Sequence, residues 1–480
     1  MIGNLHSRKN LFIAYLIIIV FLFSCSEKGH YTYRVPEKTD DGWATAELNE
    51  TGVDSKRISD LIREVLKQNF KNIDSVLLVK DRRLILEEYF NDYGREDLHE
   101  LHSVSKSITS LLVGIAIDKG MIPNLGTKVY GFFPEYKGTR WVDGKYDISL
   151  KHLLIMSAGI DWDERTRPLN DPRNDIIALI FHSDNWIQYV LNKEVVEPPG
   201  LRWNYSGGLT ILLGGIIKNT SDLYADTFAE NYLFGPLGIS NYAWHRHADG
   251  TINTQGGLSL RPRDMAKIGY LLMNGGRWKG RKVISKEWID ESTKGHITAG
   301  CLGYGYQWYR GRGIANNTEF EAFWAWGRGG QLIFVFPTLE LVAVFTSKPY
   351  DNEPGLYRPF QMLSHYILPA MLPPTEPRKE ISLNPNILDE YVGQYRWDDG
   401  KAIVTLFREE NTLYGKSPDG EIVELTPEAE DQFSGTSRGI GDFQVTVKRG
   451  EEGEVDAAIL YFFPFCSRRL KKINEKKREK

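Results

Sequence analysis

The chain contains a single S-x-x-K, Ser103-Val104-Ser105-Lys106, and that pair is where chemistry could begin. A serine hydroxyl at its ordinary pKa is a poor nucleophile, and an amine one helical turn away can take its proton. Chance gives about two such matches in a chain of this length, so the spacing alone is weak evidence. Its position adds weight. From Val104 the residues Ile108, Leu111, Leu112, Ile115 and Ala116 recur at helical spacing until Gly120 supplies a stop, which puts Ser103 at a helix N-terminus. There the backbone N–H groups and the positive end of the helix dipole favour developing negative charge. The competing use of Ser103 is an N-cap with no chemical duty.

Two further segments follow in order, Tyr205-Ser206-Gly207 and Arg328-Gly329-Gly330-Gln331, with Leu153–Gly159, Pro199-Gly200 and Gly256–Met265 between them. Together with the S-x-x-K they resemble the serine β-lactamase and penicillin-binding-protein superfamily over about residues 50 to 370. The likeness is strongest to the class C-like serine hydrolases, which include carboxylesterases, D-alanyl-D-alanine peptidases and nylon-oligomer hydrolases. The resemblance implies that Ser103 is the nucleophile and that Lys106 and Tyr205 share the work of base, as phenolate beside a cation or as a phenol relaying through lysine. It also implies that the N–H of Gln331, with that of Ser103, holds the oxyanion, while Gly329 and Gly330 let substrate approach an edge strand. Arg328 stands where the superfamily usually has Lys or His. As a permanent cation it would act on Tyr205 or on a substrate carboxylate rather than carry a proton. On an extended strand Trp324, Trp326 and Arg328 share a face, so the indoles either line the cleft or pack in the core. Gly207 replaces a common Asn, a departure that favours ester or amide hydrolysis over β-lactam hydrolysis.

The elements that must position these residues form an α/β (α+β) pattern. Ser75–Val79 with Leu84–Phe90, and Gln331–Phe336 with Leu341–Phe345, read as two hairpins, and the chain between them as helix and loop, with helices at about Leu150–Met156 and Pro262–Met273. That predicts a β-lactamase-like antiparallel sheet built from both ends, flanked by helices and interrupted by a helical insertion, over residues 51–375. Residues 385–470 carry short alternating strands and read as a small all-β, lipocalin-like domain or partial barrel. The basic end, 471–480, reads as a solvated tail.

Composition narrows the partners. A formal charge of −4 provides no basic face for nucleic acid. Arg8 and Lys9 precede an apolar run, Leu11–Phe23, and Leu22-Phe23-Ser24-Cys25 resembles a lipobox, so 1–25 is expected to be a lipoprotein signal peptide lipidated at Cys25, with 26–50 as a tether. The mature chain would then be exported and anchored to a bacterial membrane. Cys301 and Cys466 lie in different regions, and no disulfide framework is expected. The acidic loop Asp161–Glu164 reads as a solvated rim. His245-Arg246-His247-Ala248-Asp249 only begins a metal-ligand pattern, so no metal or organic cofactor is expected. The resulting expectation is an exported serine hydrolase acting on a small or peptide-like ester or amide. The alternatives are a D-alanyl-D-alanine peptidase-like cell-wall enzyme and a non-catalytic binding lipoprotein that keeps the fold.

Overall fold

The computed structural model describes residues 31–473 except 137, 142–146, 316–317, 349–357, 374–380, 382, 398–399, 401, 438–440 and 463–464. Cys25 and its apolar segment lie outside the described residues. A central antiparallel sheet contains β1 (Ile73–Lys80), β2 (Arg83–Tyr89), β3 (Ile297–Ala299), β4 (Leu302–Tyr304), β5 (Tyr309–Ala315), β6 (Thr318–Gly327), β7 (Gln331–Phe336) and β8 (Leu341–Ser347), in the order β2-β1-β8-β7-β6-β5-β4-β3. The two ends of the domain meet as expected, with Val76 opposite Phe345 and Leu78 opposite Ala343. Strands β3 to β6, however, occupy sequence that reads as helix and loop. The reason is burial: Phe320, Ala322, Phe323, Trp324 and Ala325 are all covered, so β6 has apolar residues on both faces and little alternation to read.

Each sheet face carries its own apolar layer. On one, α1 (Ser55–Leu66) starts where the Asp54 carboxylate accepts from the Lys56 and Arg57 amides, and buries Ile58, Leu61, Ile62 and Val65 at helical spacing. On the other face pack α2 (Val104–Asp118), α3 (Gly207–Ser221) and α4 (Pro262–Met273). Helix α2 is buried on every side from Val104 to Ala116, not only along its apolar stripe. Two of its hydroxyls reach carbonyls and one an amide: Ser107 Oγ donates to Gln307 O at 2.6 Å, Thr109 Oγ1 to Thr254 O at 3.0 Å, and Ser105 Oγ accepts from Leu258 N at 3.2 Å.

The C-terminal domain is a closed eight-stranded barrel rather than a partial one. Its strands are β9 (Gly393–Trp397), β10 (Ile403–Glu409), β11 (Thr412–Lys416), β12 (Ile422–Ala429), β13 (Gln432–Ser437), β14 (Gly441–Arg449), β15 (Val455–Phe462) and β16 (Cys466–Lys472), with β9 pairing to β16. Helix α5 (Pro385–Tyr391) contributes Leu388 and Tyr391 to the barrel core. Lys471 and Lys472, expected in the tail, belong to β16 and pair with Arg396 and Tyr395.

Phe465, between β15 and β16, is 1% exposed, with its ring 5.1 Å from those of both Trp324 and Phe334. Gly311 on β5 makes room for it, since a Cβ there would stand 2.3 Å from Phe465 O. The neighbouring Cys466 is disulfide-bonded to Cys301, which corrects the expectation of two unrelated cysteines. The bond spans 165 residues of sequence, a separation that hides it from local reading. In the chain-entropy account a loop of that size stabilises by roughly 5 kcal/mol. Phe465→Ala should lower unfolding free energy by about 3–5 kcal/mol in urea denaturation. Phe181→Ala, at a side chain 71% exposed, should change it by less than about 0.5 kcal/mol.

Candidate functional site

Ser103 stands at the N-cap of α2 with φ −67° and ψ −8°, and its hydroxyl makes no capping bond. The hydroxyl is shared instead with Lys106 and Tyr205. Lys106 Nζ lies 3.0 Å from Ser103 Oγ, and the phenol of Tyr205 is hydrogen-bonded to the same hydroxyl. His102, just before the nucleophile, holds φ +47°, a left-handed conformation rare outside glycine, at the turn into the helix.

Lys106 is only 2% exposed. Its other two neighbours are Gln255 O at 2.8 Å and Gln255 Oε1 at 3.0 Å. Burial pulls its pKa down to about 8, against the opposing pull of the Glu164 carboxylate. Burial, then the Glu164 charge, pushes the Tyr205 phenol up, so it remains protonated at neutral pH. Burial also pushes Glu164 up, opposed by Lys106, the Gly207 amide and the Trp162 indole. His102 is held down to about 4 by burial, with Arg328, His99 and Lys106 adding repulsion.

The scaffold explains these placements. Gly200 N donates to Ser157 O at 2.7 Å and Asn204 N to Met156 O at 2.8 Å, lacing the loop before Tyr205 onto the loop after Met156. Glu164 Oε2 accepts from Gly207 N at 2.7 Å and Trp162 Nε1 at 2.8 Å, placing a carboxylate at the start of α3 where the helix dipole favours it. Glu164 is therefore a site residue, not the solvated rim group expected from its acidic loop. Gln255, immediately before Gly256-Gly257-Leu258, has no local sequence signal and is marked only by its contact with Lys106. A cleft of about 420 Å³ shares Glu164 and Tyr205 with this cluster and is also walled by Trp162, Arg165, Arg202 and Trp203.

The third segment differs from expectation in three ways. Arg328-Gly329-Gly330 is the turn between β6 and β7, not an edge strand, and Gly329 and Gly330 serve it through φ of +81° and +84°. Gln331 is turned into the sheet, opposite Gly327, with its side-chain amide donating to Ser347 O at 2.5 Å. The approach to the nucleophile's turn is made by Gly327, where a Cβ would stand 2.2 Å from Leu101 O. Arg328 is exposed beside His102, and the Arg165 guanidinium lies 5.6 Å from the Tyr205 ring centre. Trp324 and Trp326 pack with Phe360 at 6.2 and 5.1 Å in the aromatic layer on the other sheet face, where the pleat carries them away from α2.

An antiparallel sheet with a buried serine–lysine helix on one face, and a tyrosine just before the neighbouring helix α3, defines a mixed helix-and-sheet hydrolase fold. Residues 59–366 match the Beta-lactamase family model, and the chain belongs to that family. It is 25% identical over 239 residues to the 6-aminohexanoate-dimer hydrolase of Paenarthrobacter ureafaciens, covering 46% of this chain and 57% of that protein. It is 26% identical over 253 residues to a Beta-lactamase of Yersinia enterocolitica, covering 46% of this chain and 61% of that protein. The chain thus spans about three fifths of the length of these relatives, which are hydrolases. The fold is shared by the octameric penicillin-binding protein homologue from Pyrococcus abyssi, with TM-score 0.51 and 19% identity over 87% of this chain and 99% of that one.

If Lys106 accepts the proton it must be neutral, so kcat/KM should rise with pH through about 8 and level above it. Glu164 favours the ammonium, so Glu164→Gln should move that acid limb to lower pH. The pH profile of p-nitrophenyl ester turnover checks both.

Proposed function

We propose that the chain is a serine hydrolase that cleaves an ester or amide through an acyl group on Ser103. The observation that carries this is the Ser103 hydroxyl, not used in capping and held 3.0 Å from a buried amine. In the first half-reaction Ser103 Oγ bonds to the carbonyl carbon while its proton passes to Lys106. The Tyr205 phenol relays a proton to the departing alcohol or amine as the bond to the acyl carbon breaks. Water then attacks the acyl carbon, gives a proton to the same pair, and Ser103 leaves with its hydroxyl restored. The Ser103 amide, at the start of α2, is one oxyanion donor. The second is drawn from the Gly327–Gln331 turn, which lies against the Leu101 backbone just before the nucleophile.

The cleft beside Tyr205 and Glu164 is of a size to take part of a small-molecule or peptide-like substrate. The similarity to a 6-aminohexanoate-dimer hydrolase supports linear amides as one class to try. No metal or organic cofactor takes part in the scheme. Export and lipidation at Cys25 belong to the same proposal, supported by the Leu22–Cys25 pattern and by a disulfide suited to an oxidising compartment.

A fluorophosphonate probe should add to wild type and not to Ser103→Ala, read by intact mass. A panel of esters, linear amides, muropeptides and β-lactams should be turned over only by wild type. No adduct and no difference between the two proteins across the panel would sink the hydrolase proposal. Cys25→Ala should abolish fatty-acid labelling and shift the protein from the detergent to the aqueous phase on partitioning. Unchanged labelling would count against the anchor.

A further inference from the structure

We propose that Gln255 is the positioning residue that aims the lone pair of Lys106 at the Ser103 hydroxyl, in the space that Gly207 leaves open. The inference rests on the serine-hydrolase proposal, since it specifies how that base is oriented.

Among the described residues, the hydrogen-bond partners of Lys106 Nζ are Ser103 Oγ at 3.0 Å, Gln255 O at 2.8 Å and Gln255 Oε1 at 3.0 Å, with the Tyr205 ring centre 4.9 Å away. A neutral amine has two N–H groups and one lone pair. Both Gln255 atoms are carbonyl oxygens, which can only accept, so they take the two N–H groups. Of these hydrogen-bond partners Ser103 is the one with a proton to give, and the lone pair is left facing it. One residue thus supplies both acceptors and fixes the rotation of the amine. Without the side-chain carbonyl, one N–H has no fixed partner, and the amine can rotate its lone pair away from the serine.

Gln255 is itself held on a rigid turn. Gly257 N donates to Asn253 O at 3.0 Å, Thr254 Oγ1 donates to Thr210 O on α3 at 2.8 Å, and Thr254 O accepts from Thr109 on α2. The turn is therefore tied to both helices that carry the site. Gly207 completes the fit. Its φ does not demand glycine, but a Cβ there would stand 3.1 Å from Gln255 Oε1, 3.1 Å from Glu164 Oε2 and 2.8 Å from Ile176 Cδ1. The missing side chain at position 207 and the amide of Gln255 occupy one volume, so an amide reaching in from 207 could stand in for the one from 255.

The test is the rate of fluorophosphonate addition to Ser103, measured against pH for wild type, Gln255→Ala, Gln255→Glu and the double variant Gln255→Ala/Gly207→Asn. Gln255→Ala is expected to label ten- to a hundredfold more slowly, and the double variant to recover at least threefold of that loss. Gln255→Glu preserves the shape and adds a charge that favours ammonium, so its acid limb should move to higher pH; it remains the readout if Gln255→Ala fails to fold. Wild-type labelling with Gln255→Ala within twofold of it, a slowed Gln255→Ala without recovery in the double variant, or an unmoved acid limb in Gln255→Glu overturns the role of Gln255 and leaves the hydrolase proposal standing. Wild type that takes no label overturns both.

Discussion

An amine kept out of water is the constraint on which the hydrolase domain depends. Lys106 sits on a helix buried on every side, where an ammonium loses its hydration and every unmatched polar group carries a penalty. The surroundings are arranged accordingly. Carbonyls of Gln255 reach its nitrogen, the Glu164 carboxylate lies near enough to resist neutralisation, and the Ser107 and Thr109 hydroxyls of α2 end on carbonyls of the Gln307 and Thr254 loops. These loops are therefore not connectors draped over a finished core. They are what allows a polar helix to be inside at all, and the same contacts that satisfy it also bring the reactive groups within reach of one another.

The division of the sheet into two faces separates two tasks. The face covered by α2, α3 and α4 holds the polar cluster, while the face covered by α1 holds an aromatic layer that receives Phe465 of the barrel. Successive residues of β6 contribute to both, Phe323 and Ala325 on one side and Ala322 and Trp324 on the other. A single strand thus contributes side chains both to the barrel contact and to the layer beneath the nucleophile helix.

What the sequence makes legible follows from how local the determining contacts are. The serine and lysine are three residues apart on one helix, so their meeting can be read from spacing, and the Gln331–Phe336 and Leu341–Ser347 pair shows a hairpin around Pro337. Glu164 and Gln255 could not be read that way. Glu164 meets Gly207 from 43 positions away, and Gln255 meets Lys106 from 149, so neither has a neighbour in sequence that betrays its duty. The Arg328–Gly330 segment misled for a different reason: two glycines suit both an open strand edge and a turn with positive φ, and only the pairing of Gly327 with Gln331 decides between them. The all-β, lipocalin-like character of the last domain could be read from its short alternating strands, whereas the particular pairing of β9 with β16, from opposite ends of the domain, could not.

The seat for Phe465 also sets an order of events. The last strand of the central sheet ends at Ser347, and the ring that covers its aromatic face emerges more than a hundred residues later. At ribosomal rates of about 5–20 residues per second, that face waits roughly 5–25 s for its partner. Until the barrel strands are made and seated, the aromatic face of the sheet lacks the Phe465 part of its cover, in whichever compartment the chain folds.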